Sequence, residues 1–172
     1  MRCPWCEHPN LQGSDICGRC HSDLTQFNRP VGQDAVESSL LRDPVRSIPR
    51  VKPQMVSADL LLGTALQRMI DNEIGSLLVI DADNRLIGIV TERDYLNRVI
   101  GNDPDEFNHR TVREVMTDAP DTVRPNDPIG IALRKMTLGG YRHLPVVDDG
   151  YPIGIISVRD ILRHVMRLCR DT

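Results

Sequence analysis

The sequence predicts an α+β fold built from two copies of one strand, helix, strand, strand, helix unit, preceded by a small module organised by four cysteines. Three observations carry that expectation. Between Tyr141 and Asp160, two short apolar runs, Leu144 to Val147 and Ile153 to Ile156, flank Asp148-Asp149-Gly150, the composition of a tight turn between buried strands. The same parts occur earlier and in the same order, as Gly75 to Asp81 followed by Leu86 to Asp94. Finally, Cys3-Pro-Trp-Cys6 and Cys17-Gly-Arg-Cys20 form two C-x-x-C pairs ten residues apart.

The duplication extends well beyond the hairpin. Aligning Gly63 with Gly130 also matches Val45 with Val112, Val56 with Val123, Ala65 with Ala132, Leu66 with Leu133, Met69 with Met136 and Asp81 with Asp148, at a constant offset of 67 residues. After the turn the offset falls to 66, matching Gly88 with Gly154, Thr91 with Ser157, Arg93 with Arg159, Asp94 with Asp160 and Leu96 with Leu162. The single-residue difference sits in a turn, where changes of length are tolerated. An internal repeat from about residue 44 to about 170 organises the chain.

Composition sets the outer limits. With 172 residues, 40% hydrophobic but 3% aromatic, the chain can bury a sizeable aliphatic core in one or two domains. A net charge of -3 gives no general electrostatic reason to bind nucleic acid or an anionic membrane. No apolar run approaches a membrane span, and the first residues lack the apolar core of a secretion signal, so a cytoplasmic location is expected.

In a reducing compartment, closely paired cysteines are read as metal ligands before disulfides. Cys3, Cys6, Cys17 and Cys20 have the spacing to bring four thiolates to one tetrahedral, structural zinc, and the segment resembles a zinc ribbon. Residues 1–27 hold almost no aliphatic core, so the metal is expected to organise them. Cys17-Gly-Arg-Cys20-His21 also fits the c-type haem pattern C-x-x-C-H, which requires export. Disulfides or a redox dithiol are the other alternative, disfavoured by compartment and by the matched second pair. Four cysteines leave no open position for catalysis, and His8 and His21 are expected at the surface.

Residues 28–43 read as a linker with a short helix opened by Asp34 and Glu37, whose Val36, Leu40 and Leu41 could dock on the next domain. The repeats are expected at 44–101 and 111–172, joined by a polar, acidic connection at 102–110. Each opens with a short strand, about Gln54 to Val56 and Asp121 to Arg124. Asp127 is expected to cap the following helix with Pro128 at its first position, and Asp59 to do the same in the first copy. Leu62, Leu66 and Met69, like Ile129, Leu133 and Met136, recur at helical spacing and should face a sheet. Ser157 falls where the last strand hands over to a helix, and such an N-terminus attracts anions.

The repeated unit, with G-I-V-T-E-R-D, G-I-I-S-V-R-D and Y-R-H-L-P-V-V-D, resembles a tandem pair of CBS domains, the Bateman module, over about three quarters of the chain. The resemblance implies a pseudo-twofold pair with two clefts, a regulatory and non-enzymatic role, and a flat homodimer. It also implies an adenosine-containing ligand such as AMP, ADP, ATP or S-adenosylmethionine. Carried over residue by residue, it puts Asp160 and Asp94 on the ribose, where a carboxylate can accept both hydroxyls. Ser157 and Thr91 then take phosphate, with Arg142, His143 and Arg159 neutralising charge, and Thr122, Val123 and Pro145 lining the adenine pocket. The first cleft is expected to be the weaker, with Val56, Ser76, Thr91, Arg93 and Asp94, because Gly75-Ser76 stand where the second copy has Arg142-His143.

Two bland readings accompany these. Ser157-x-x-Asp160 and Thr91-x-x-Asp94 also read as capping pairs that need no ligand. Arg159, Arg163, Arg167 and Arg170 form a basic stripe that is ordinarily a solvated face, or could serve a dimer or an acidic partner. The alternative function is a scaffold with empty clefts whose cysteine module docks protein or nucleic acid. The balanced charges of that module, Arg2, Arg19 and Arg29 against Glu7, Asp15 and Asp23, weaken the nucleic-acid version.

Overall fold

Residues 2–11, 14–25, 35–49, 52–98 and 109–170 are described by the computed structural model. Expectations resting on Asp34, Arg29 and the connection around 101–108 lie outside them. After the cysteine module come helix α1 (Ala35–Arg42) and the first copy: β1 (Met55–Ser57), α2 (Leu62–Asp71), β2 (Ser76–Ile80), β3 (Leu86–Thr91) and α3 (Glu92–Arg98). The second copy holds β4 (Thr117–Asp118), α4 (Ile129–Gly139), β5 (His143–Asp148), β6 (Tyr151–Ser157) and α5 (Val158–Leu168). Strand β1 runs parallel to β2, and β2 pairs antiparallel with β3. The short β4 joins the far edge of β3, with Asp118 opposite Gly88. Strands β5 and β6 form the predicted hairpin, with His143 opposite Ser157 and Asp148 opposite Tyr151.

Inward residues follow the predicted periodicity. Leu62, Ala65 and Met69 of α2 and Ile129, Ala132 and Met136 of α4 are buried against the strands, and Leu66 and Leu133 pack at the edges of the two cores. Three local expectations are corrected. The strand near Asp121 to Arg124 shrinks to one parallel bridge between Val123 and Val146. Pro125, which has no N–H, follows at once. Asp127 does not cap α4: Pro128 holds the cap position and the Asp127 carboxylate accepts the Arg124 N–H at 2.8 Å. Asp59 likewise leaves the cap of α2 to Leu61 and accepts from Arg113 at 3.2 Å.

The two copies exchange the segments that precede their first strands. Val45 and Ile48 are buried in the core of the second copy, beside Val123, Leu144 and Ile161. Val112, Val115 and Met116 are buried in the core of the first, beside Leu62, Leu77 and Val90. Backbone hydrogen bonds fix both exchanges. Val45 N–H donates to Asp127 O at 2.8 Å and Ile129 N–H to Asp43 O at 3.0 Å; Val112 N–H donates to Leu60 O and Leu62 N–H to Arg110 O, both at 2.9 Å. The aligned pair Val45 and Val112 therefore performs one structural task twice, each in the other copy.

Helix α1 docks on the second copy, as the apolar residues of the linker allow. Leu40 packs at the edge of that core, Ser39 is buried, and Leu41 stays exposed. The Ser39 hydroxyl donates to the Asp43 carboxylate and lies 2.8 Å from His164 Nε2 on α5. Close approach to α4 depends on Gly130, where a Cβ would stand 2.9 Å from the Leu40 carbonyl oxygen.

Candidate functional site

Two knuckles of the same design build the cysteine centre. In each, the N–H of the first cysteine donates across the turn, Cys3 to His8 O at 3.0 Å and Cys17 to Ser22 O at 2.9 Å. The residue after the second cysteine takes a left-handed conformation, Glu7 at φ 56 and His21 at φ 55. Asn10, which sequence reasoning passed over, staples the two: its Oδ1 accepts the Gly18 N–H at 2.9 Å while its Nδ2 lies 3.6 Å from Cys17 Sγ. All four cysteines are free thiols. Their sulfurs lie within 4.8 Å of one another, with Cys3 to Cys20 and Cys6 to Cys17 at 3.6 Å.

That geometry fits a tetrahedral zinc, whose Zn–S distance of about 2.3 Å implies sulfurs roughly 3.8 Å apart. The backbone N–H groups of Cys20 and Arg19 lower the Cys17 thiol to about 5, while Cys6, despite a backbone hydrogen bond from His8, is pushed up to about 12 by burial and the neighbouring thiols, as expected where four sulfurs share one space. Neither His8 nor His21 belongs to the cluster.

Among the described residues, two cavities lie between the copies. The larger, about 570 Å³, is lined from the first copy by Thr91, Arg93 and Asp94, and from the second by Asp121, Tyr141, Arg142 and His143. The smaller, about 120 Å³, is lined by Lys52, Gln54 and Ser76 together with His143, Ser157 and Asp160. The structure thus regroups the expected residues. Arg142 stands with Asp94, not with Asp160, and Ser76 stands with Asp160, because each strand-to-helix turn faces the neighbouring copy's first β-hairpin strand.

Five expected contacts fall outside both cavities. Val56 and Val123 are core residues, Pro145 is buried in β5, and Thr122 offers its carbonyl to Lys135 at 2.7 Å. Arg159 is exposed and lines neither cavity. Asp121 is a lining residue that sequence reasoning missed as a ligand candidate, as are Tyr141, Lys52 and Gln54. Asp121 accepts the Tyr141 hydroxyl and faces Lys135 at 3.8 Å.

Both capping pairs are formed. Asp94 Oδ2 accepts the Thr91 N–H at 2.8 Å and hydroxyl at 2.7 Å. Asp160 Oδ2 accepts the Ser157 N–H at 2.9 Å and hydroxyl at 2.6 Å, and its Oδ1 accepts Arg163 at 3.2 Å. A carboxylate offers about four acceptor sites, so capping and ligand binding are compatible in one group. In the larger cavity Arg93 donates to the Gly140 carbonyl at 2.8 Å, bridging α3 to the end of α4. Burial holds the His143 imidazole below the usual histidine range; Glu92 and Asp160 pull it up, while Arg142 and Arg159 push it further down.

The CBS domain family model matches this chain twice, over residues 45–101 and 112–167, and the chain belongs to that family. The paired cores and the clefts between them are those of a tandem CBS pair. Among curated relatives, an uncharacterized 17.7 kDa protein of Acidianus ambivalens is 33% identical over 123 residues, covering 71% of this chain and 73% of its own length. The CBS domain-containing protein CBSX3, mitochondrial, of Arabidopsis thaliana is 29% identical over 171 residues, 95% of this chain and 81% of that relative. Two solved structures carry adenosine compounds. The CBS domain pair of protein MJ0100 in complex with 5′-methylthioadenosine and S-adenosyl-L-methionine is 25% identical, with a TM-score of 0.66 over 72% of this chain and 98% of that one. CBSX2 in complex with AMP is 25% identical, with a TM-score of 0.62 over 72% of this chain and 97% of that one. Among the described residues, no helix is long and apolar enough to cross a membrane.

Proposed function

We propose that this protein is a regulatory sensor that binds an adenosine nucleotide in the larger cavity and carries one structural zinc on Cys3, Cys6, Cys17 and Cys20. One observation carries the reading: a cavity of about 570 Å³ brings the Asp94 carboxylate of one copy to the Arg142 and His143 side chains of the other. Its volume lies in the roughly 300–1000 Å³ range of small-molecule sites, and the smaller cavity falls below it. Asp94 accepts the ribose hydroxyls, while Arg142 and His143 face the phosphate. This reverses the ranking expected from sequence, because Arg142 faces the first copy's carboxylate and not Asp160. The adenosine compounds held by related CBS pairs support the ligand class.

The ligand acts by favouring one arrangement of the two copies, which share their leading segments. Helix α1, docked on α4 and α5, connects that arrangement to the cysteine module, which meets the regulated partner. The units proposed are 1–27, 28–43, 44–101, 102–110 and 111–172. Exposed apolar residues on the helices, Ile70, Leu138, Leu162 and Met166, suit a homodimer. A scaffold with empty clefts is the second reading, favoured by the internal satisfaction of Asp94 and Asp160 in capping pairs.

Calorimetric titration with AMP separates them. Wild type binds, Asp94→Asn weakens binding by tenfold or more, from about 1.5–3 kcal/mol per lost charged hydrogen bond, and Asp160→Asn has a smaller effect. Absence of binding by AMP, ADP, ATP and S-adenosylmethionine would favour the scaffold.

A further inference from the structure

His143 lines both cavities, and so does Gly75. The duplication aligns Gly75 with Arg142 and Ser76 with His143. Where the second copy carries Arg142, the first carries no side chain, and the vacated space is where the imidazole stands. A Cβ on Gly75 would lie 3.3 Å from His143 Cε1 and 3.1 Å from Glu92 Oε1. The ring is therefore a partition between the two cavities, with a carboxylate on each side.

The groups that face it are opposed in sign. Glu92 reaches it from α3 and Asp160 from α5; Arg142, just before β5, and Arg159 on α5 oppose them. Lys52 shares the smaller cavity with it, and Arg93 and Asp94 the larger. Burial favours the neutral ring while that balance stands. An anion seated beside Arg142 changes the balance, since it offsets the arginine and adds an attraction for imidazolium.

Resting on the nucleotide reading above, we propose that His143 is a proton-linked partition that makes the larger cavity select anionic over neutral adenosine ligands and couples its occupancy to the smaller cavity. When a phosphate enters, the mean protonation of the ring rises by a fraction of a proton drawn from solvent; on release that fraction returns. The charged ring then draws on Asp160, so the state of the smaller cavity feeds back on affinity in the larger. Linkage requires the reverse as well: whatever stabilises the imidazolium from the Asp160 side tightens anion binding on the Asp94 side.

The sign follows directly. With the ring's pKa higher in the complex than in the free protein, affinity is greatest below the free-state value and falls as pH rises through the bound-state value. A rise of one unit corresponds to about a tenfold change in affinity.

The test observes the ring itself by NMR of the histidine Cε1–H signals, with His143→Gln assigning His143 among the five histidines. In this reading saturating AMP raises the His143 pKa by about one unit and 5′-methylthioadenosine, which lacks a phosphate, leaves it in place. Asp160→Asn, which keeps an oxygen for the Ser157 N–H and lies outside the larger cavity, weakens AMP several-fold at pH 6.5, and that effect disappears in a His143→Gln background. AMP binding with an unmoved His143 signal, or an Asp160→Asn effect equal in both backgrounds, overturns the inference and leaves the nucleotide reading standing. Failure of AMP to bind at all removes both.

Discussion

Replacing Gly130 with alanine tests the docking of α1 through the sign of its effect. Gly130 sits in the first turn of α4. In a helix with nothing against it, alanine in place of glycine stabilises by up to about 1 kcal/mol. Here the new Cβ would stand 2.9 Å from the Leu40 carbonyl oxygen and 3.6 Å from its carbon. The obstruction is backbone, which has no rotamer with which to step aside. Overpacking of this kind costs about 1–3 kcal/mol, so the predicted net is a loss of roughly 1–2 kcal/mol, or α1 lifting from α4. Thermal unfolding and amide hydrogen exchange distinguish the two outcomes: Tm falls by several degrees, or the Leu40 to Arg42 amides lose protection first. A variant more stable than wild type with α1 protection unchanged would refute the packing of α1 against α4.

Further outcomes are expected at other positions. Purified protein contains about one zinc per chain, from the four-thiolate geometry; Cys17→Ser lowers that content and unfolds the cysteine module while the repeats keep their melting transition, as metal analysis and calorimetry can check. Tyr95→Phe removes the hydrogen bond from the buried Tyr95 hydroxyl to the Leu62 carbonyl, 3.0 Å away, a loss of about 1 kcal/mol at neutral pH. Burial, with a contribution from Asp94, raises the Tyr95 phenol from 10.0 to about 12. Its contribution is therefore fully present below pH 10 and lost as pH rises toward 12. Denaturant melts across that range should show wild type losing stability more steeply than Tyr95→Phe.

The duplication made much of this legible. Periodicity located α2 and α4 and the residues they bury, and the Asp148-Asp149-Gly150 turn located the hairpin. The exchange of leading segments was not legible, although the alignment of Val45 with Val112 already marked those segments as part of the repeat. Periodicity reports which face a residue presents, not which copy supplies the partner surface. The same limit bears on the clefts: Arg142 is near Asp160 in sequence, yet it lines a cavity with Asp94, while His143 lines both cavities. Cap positions at Asp59 and Asp127 failed because a nearby backbone N–H or guanidinium competed for the carboxylate. In the cysteine module the ligand spacing was plain, but the left-handed Glu7 and His21 carry no compositional signal, since glycine is the usual residue there.

Crystals grown with AMP give the most direct measurement of the central claim. The predicted result is nucleotide density in the larger cavity, with ribose hydroxyls on Asp94 and the phosphate against Arg142 and His143. Density confined to the smaller cavity at Ser157 and Asp160, or none in either at saturating AMP, would contradict it.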